Sequence, residues 1–104
     1  MQLFTERVIY IIRNIPSGQV MTYGQVAAAA GSPRGARQVS RILHSMSRSH
    51  NLPWHRVVNA QGKIVILDEE ARHAQSSLLF EEGVAVDRSG KVDLTCHRHF
   101  PEPQ

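Results

Sequence analysis

The sequence predicts a mainly α domain with short β-hairpins, and three observations carry that expectation. Apolar residues recur at helical spacing in separate stretches of the chain. A tight Gly31-Ser32-Pro33 link separates two of those stretches. In the second half, short β-prone runs lie on either side of turn-forming residues. The 104 residues suit one unit with one core, since domains run roughly 50–250 residues, so 1–104 is read as a single domain.

The elements follow in order. Phe4, Val8, Ile11, Ile12 and Ile15 share one face of an amphipathic helix over about residues 3–15, which Pro16-Ser17-Gly18 ends in a turn. Thr22-x-x-Gln25 is a capping-box pattern, and the alanine run after Val26 favours the helix it opens. Gly31 stops that helix, and Ser32-Pro33 restarts another, expected to reach about Met46. Two short helices on so tight a link form a helix-turn-helix. Ser47 to Leu52 is polar and predicts a loop. Val57-Val58 and Ile64 to Leu67, around Asn59-Ala60-Gln61-Gly62, predict a hairpin. Asp68 caps a further helix that Gly83 ends. Val84-Ala85-Val86 and Lys91 to Leu94, around Arg88-Ser89-Gly90, predict a second small hairpin. From about residue 96 the chain is expected to be a loose tail. Together these elements make a winged-helix-like domain containing a helix-turn-helix.

Composition narrows the function. The hydrophobic fraction of 41% is ordinary, and no apolar run approaches the ~18 residues of a membrane span. Glu6 and Arg7 sit inside the amphipathic pattern of the N-terminus, which argues against a signal peptide. A single cysteine, Cys96, allows no intrachain disulfide. A cytoplasmic monomer without cofactor or metal is the expectation. The formal net charge of +3 is modest, but its placement is not. On the third helix Ala36, Val39, Leu43 and Met46 share one face, while Arg37, Arg41, His44 and Arg48 continue from Arg34 along the opposite one. No acidic residue occurs between Ala27 and Lys63. A one-signed ridge on the second helix of a helix-turn-helix fits a polyanion such as duplex DNA; the alternative is a solvated face. Gly35 and Ala36, at the head of this helix, are small enough to enter a minor groove about 6 Å wide, or simply start a helix.

Pro53-Trp54-His55-Arg56-Val57-Val58 is the most informative segment. It resembles the Pro-Cys-His-Arg-Val motif of the O6-alkylguanine-DNA alkyltransferases, with tryptophan at the cysteine position, as in the alkyltransferase-like proteins. Thr22-Tyr23-Gly24-Gln25-Val26-Ala27 resembles the segment whose tyrosine pushes on the phosphate beside the flipped nucleotide. Gly35-Ala36-Arg37-Gln38-Val39 resembles the helix that carries the family's arginine finger. Leu78 to Gly83 resembles the helix end whose glutamate completes a Cys-His-Glu network. The likeness covers about residues 4–84. Two features depart from it: the hinge asparagine has no counterpart near Ser45-Met46, and Leu67-Asp68 stands where the transferases carry a Tyr-Ser pair.

The resemblance implies a DNA-binding surface of Thr22, Tyr23, Arg34, Gly35, Ala36, Arg37 and Arg41. It implies a lesion pocket of Tyr23, Pro53, Trp54, Val57, Leu67 and Asp68, with His55, Arg56 and Glu82 as its scaffold. The expected partner is double-stranded DNA containing O6-alkylguanine, docked through the minor groove with one nucleotide extruded. Nucleotide-excision repair damage-recognition proteins would read the resulting complex. No catalytic residue is expected, because alkyl transfer needs a thiolate and an indole supplies none; Trp54 offers a flat wall for stacking instead. Two rival classes stay open. Cys96-His97-Arg98 repeats part of the transferase motif without its proline, so a methyltransferase using Cys96 is one. A sequence-specific regulator that places the same helix in the major groove is the other.

Overall fold

The computed structural model describes residues 3–101. Helix α1 (Phe4–Arg13) buries Val8, Ile11 and Ile12. Glu6 in its first turn and Arg13 in its last complement the helix dipole. Gly18, at φ +85, turns the chain into a two-residue strand β1 (Met21–Thr22). Helix α2 (Tyr23–Ala29) opens with the capping box read from the sequence: Gln25 N–H donates to Thr22 Oγ1, and Thr22 N–H to Gln25 Oε1.

Helix α3 (Ala36–His50) differs from expectation at both ends. It begins at Ala36 because Ser32–Gly35 close a turn of their own, with Gly35 N–H donating to Ser32 O at 2.9 Å. It runs one turn past Met46, so the stretch read as a polar loop is mostly helix. Those residues are polar because Arg48 and Ser49 face solvent, not because the helix has ended. Asn51 stops it in the left-handed region (φ 50), and Arg13 Nη2 donates to His50 O at 3.0 Å. Helices α2 and α3 form the expected helix-turn-helix.

The first expected hairpin does not form. After a 3₁₀ turn (Trp54–Arg56), strand β2 (Val57–Val58) pairs in parallel with β1, in the register Met21↔Val57 and Thr22↔Val58. Residues 59–63 close a tight turn around the Asn59 side chain. Ile64 N–H then donates to Gly90 O at 2.9 Å, joining the second hairpin rather than Val57-Val58. Gly62 makes this possible: its φ is +82, and a Cβ there would stand 2.5 Å from Val92 O. Helix α4 (Glu69–Glu81) is capped by the Asp68 side chain, which accepts from Ala71 N–H. The second hairpin is a single antiparallel bridge, Val86↔Val92. Its return strand is cut short because Asp93 caps a short helix α5 (Leu94–His97).

The tail is not loose over the residues described. Val20 N–H donates to His97 O and His99 N–H to Val20 O, both at 2.8 Å, while Gln25 Nε2 donates to His99 O at 3.0 Å. The open edge beside β1 would otherwise leave backbone groups unpaired, and the chain end satisfies them. Residues 102–104 lie outside the described part.

The small sheet has a core on each face. Successive strand residues point to opposite sides. Met21 and Val57 join a cluster with Val8, Ile12, Val26 and Val39 from the three N-terminal helices. Val20 and Val58 join a second cluster with Ile64, Leu79, Val84 and Val92.

Candidate nucleic-acid interface

Helix α3 is anchored by Val39, Ile42 and Leu43. That orientation sends Arg37, Arg41, His44 and Arg48 outward, with exposed Arg34 on the link before the helix. Among the described residues none of these five side chains has a carboxylate partner. Ala36 is half-buried. Gly35 is buried, and a Cβ there would lie 3.0 Å from Phe4 Cζ and 3.1 Å from Ser32 O. Its small size is therefore required by packing on α1, whatever part it also has in a groove. Thr22 is 5% exposed and its hydroxyl is committed to the cap of α2.

Beside this ridge lies a cleft of about 1070 Å³. One wall is α3, through Ser40, Arg41, His44 and Arg48; the other is the stretch Val65 to Asp68 with Ala71; Tyr23 and Trp54 also line it. Four of the six expected pocket residues are here, namely Tyr23, Trp54, Leu67 and Asp68. Pro53 does not line the cleft, although it adjoins Trp54. Val57 cannot, because at 1% exposure its side chain belongs to the first core. Arg41, expected on the DNA surface, also lines the cleft. His44, Arg48 and Val65 were not expected in it. The i, i+3, i+7 spacing of Arg41, His44 and Arg48 was the available signal for a shared wall.

Trp54 is half-buried against the first core, at the edge of the His55 ring (centroids 6.3 Å apart, planes at 86°). Burial pushes the Tyr23 phenol above its ordinary pKa, so it stays neutral. The exposed Leu67 (94%) stands at the cleft's far lip.

Below Trp54 the chain is pinned by a charged network. Glu82 Oε2 lies 2.8 Å from His55 Nε2, and the carboxylate takes bonds from Arg56 Nε and Nη2 and from Gly18 N–H. Arg56 Nη1 also donates to Ile15 O at 2.8 Å. Burial alone would raise the Glu82 pKa. The bonds from Arg56, His55 and Gly18 outweigh it and hold the group at about 2, so Glu82 is ionised at neutral pH. His55, Arg56 and Glu82 thus join the end of α4, the turn after α1 and the turn carrying Trp54. Sequence reasoning missed a second clamp: buried Gln75 donates through Nε2 to both His55 O and Val57 O at 3.1 Å. Glutamine on a helix carries no signal for this. Cys96 is exposed on α5, its thiol donating to Asp93 Oδ2 at 3.4 Å, and it does not line the cleft.

The chain is similar in sequence and in fold to known proteins. Residues 3–84 match the family model described as 6-O-methylguanine DNA methyltransferase, DNA binding domain. The chain is 46% identical over 95 residues to the DNA base-flipping protein of Escherichia coli, covering 91% of this chain and 73% of that one. It is 38% identical over 106 residues to alkyltransferase-like protein 1 of Schizosaccharomyces pombe, covering 99% and 98%. The crystal structure of S. pombe Atl1 in complex with damaged DNA containing O6-carboxymethylguanine superposes with a TM-score of 0.86, at 32% identity, over 97% of this chain and 100% of that one.

Proposed function

Since the chain belongs to the family of the 6-O-methylguanine DNA methyltransferase DNA-binding domain, we propose that it binds O6-alkylguanine in duplex DNA, holds the flipped nucleotide, and transfers no alkyl group. The observation that carries this reading is Trp54 as a wall of a cleft beside a cationic helix face that has no carboxylate partner among the described residues. Relatives named for base flipping, and one solved on DNA carrying an O6-alkylguanine, support it.

The residues divide the work. Helix α3 docks in the minor groove, where its exposed arginines meet phosphates. Arg37, in the first turn and exposed, fills the gap that the extruded nucleotide leaves. Tyr23, neutral and half-exposed at the start of α2, turns the neighbouring phosphate. Base extrusion costs a few kcal/mol, least where damage has weakened pairing. Stacking of the base on Trp54 returns on the order of 1–3 kcal/mol. No thiolate takes part: Trp54 occupies the position at which the transferases carry cysteine, and Cys96 is bonded to Asp93 outside the cleft. The Glu82–His55–Arg56 network therefore positions the Trp54 turn rather than activating a nucleophile. A persistent complex on bent DNA marks the lesion for nucleotide-excision repair.

The test pairs affinity with transfer. Titration of one duplex carrying guanine, then O6-methylguanine, at fixed salt should give tighter binding to the lesion. A labelled alkyl group should stay on the DNA. Equal affinities, or label on the protein, would overturn the proposal.

A further inference from the structure

The walls of the cleft differ in charge. Arg41, His44 and Arg48 project from α3, spread over about 10 Å of helix axis at 1.5 Å per residue. The facing wall is Val65, Ile66 and Leu67, with Asp68 as its one charged group. Neither guanidinium has a hydrogen-bond or ion-pair partner among the described residues. Asp68 Oδ2 accepts from Ala71 N–H to cap α4, and among the described residues no ion pair joins this single carboxylate to Arg41 or Arg48, so positive charge prevails on the α3 side of the cleft.

We propose that this wall selects for the adduct: the cleft favours O6-alkylguanines whose alkyl group ends in a carboxylate over neutral groups of the same size and shape. The proposal rests on the lesion-binding reading above and adds its preferred substrate class. A neutral alkyl group gains from burial against Trp54 and the apolar wall, and an acidic one gains that and a charge-assisted contact on the α3 side. A phosphate-only role for Arg41 and Arg48 would predict no discrimination between adducts, because every duplex carries the same backbone.

The experiment compares four duplexes of one sequence, containing guanine, O6-methylguanine, O6-carboxymethylguanine and its neutral isostere O6-carbamoylmethylguanine. Binding to the wild-type protein is titrated at fixed pH and salt. The acid should bind roughly threefold to tenfold more tightly than the amide, the size of one part-exposed charge-assisted contact. Arg48→Gln and Arg41→Gln, both at exposed positions, should lower affinity for all four duplexes and bring the acid-to-amide ratio toward one. Equal binding of acid and amide by wild type, with O6-methylguanine still preferred to guanine, overturns this inference and leaves lesion binding standing. A ratio that survives both substitutions removes the wall as its cause and overturns it as well. No preference for any adduct over guanine would instead defeat the lesion-binding reading itself.

Discussion

Arg37 and Arg56 lie nineteen positions apart in a stretch without a single carboxylate, yet they occupy opposite environments. Arg56 is part-buried, forms three bonds to Glu82 and a fourth to Ile15 O, and ties the Trp54 turn to the rest of the chain. Arg37 is exposed and has no carboxylate partner among the described residues. One charge is spent inside the molecule and the other is held out to solvent. The difference separates residues that hold the interface in place from residues free to bind something else.

The comparison breaks most visibly at Glu82. Removing one partner of a part-buried ion pair strands the other, so Glu82→Ala should lower unfolding stability by about 3–5 kcal/mol in urea titrations. The pH dependence has a definite sign. Because the folded-state pKa lies near 2, below the ordinary 4.5, the carboxylate's contribution is complete above about pH 4.5 and is lost as pH falls toward 2. The stability gap between wild type and Glu82→Gln should therefore narrow across that window. A constant gap would mean that the network is not what holds the carboxylate ionised.

Arg37→Ala should do the reverse of Glu82→Ala. It should leave stability unchanged and weaken lesion binding by about 1–3 kcal/mol, more than it weakens binding to undamaged DNA. Equal losses on both duplexes would reduce Arg37 to a phosphate contact. Trp54→Cys tests the site between the two regions. Lost stacking should weaken lesion affinity by about 1–3 kcal/mol. Mass spectrometry should find no alkylated cysteine, because transfer needs the sulfur at near-attack distance and in line. The cleft's far wall also carries Leu67-Asp68 where the transferases have Tyr-Ser. Efficient alkylation would show that the indole alone blocks the chemistry.

The two regions also differ in how far the sequence reveals them. The helical half is legible because period and caps agree: Val8, Ile11 and Ile12 mark the buried face of α1, and Thr22 with Gln25 marks the start of α2. The half around the small sheet is not. Strands of two residues, Met21–Thr22 and Val57–Val58, are too short to show alternation, and their parallel pairing joins segments 36 positions apart. Val57 shows the consequence for the site. Three residues after Trp54 in the motif, it reads as a pocket residue, but the strand register turns it into the first core. His55, Arg56 and Glu82 could be grouped only through the family resemblance. Gln75 could not be found at all, because its partners are backbone carbonyls whose positions no side chain announces.

The smallest effect asks whether placement or mere charge distinguishes the two regions. Arg34, on the link before α3, and Arg88, in the turn of the second hairpin, are both exposed and each contributes one positive charge. Replacing either by alanine changes net charge equally, so a binding mode driven by overall attraction should respond equally to both. Contact with phosphate is local, since at 0.15 M salt the Debye length is about 8 Å. Arg34→Ala should therefore weaken guanine and O6-methylguanine duplexes alike, by about 1 kcal/mol or less, and lower the salt slope by about one. Arg88→Ala should leave the slope unchanged. The measurement is a set of binding isotherms between 50 and 200 mM salt, a range over which each phosphate contact has a visible effect on log K. Matching slopes for the two variants would place the second hairpin on the DNA as well and extend the interface beyond α3. A slope change for Arg34→Ala confined to the lesion duplex would move that residue from the backbone to the extruded nucleotide.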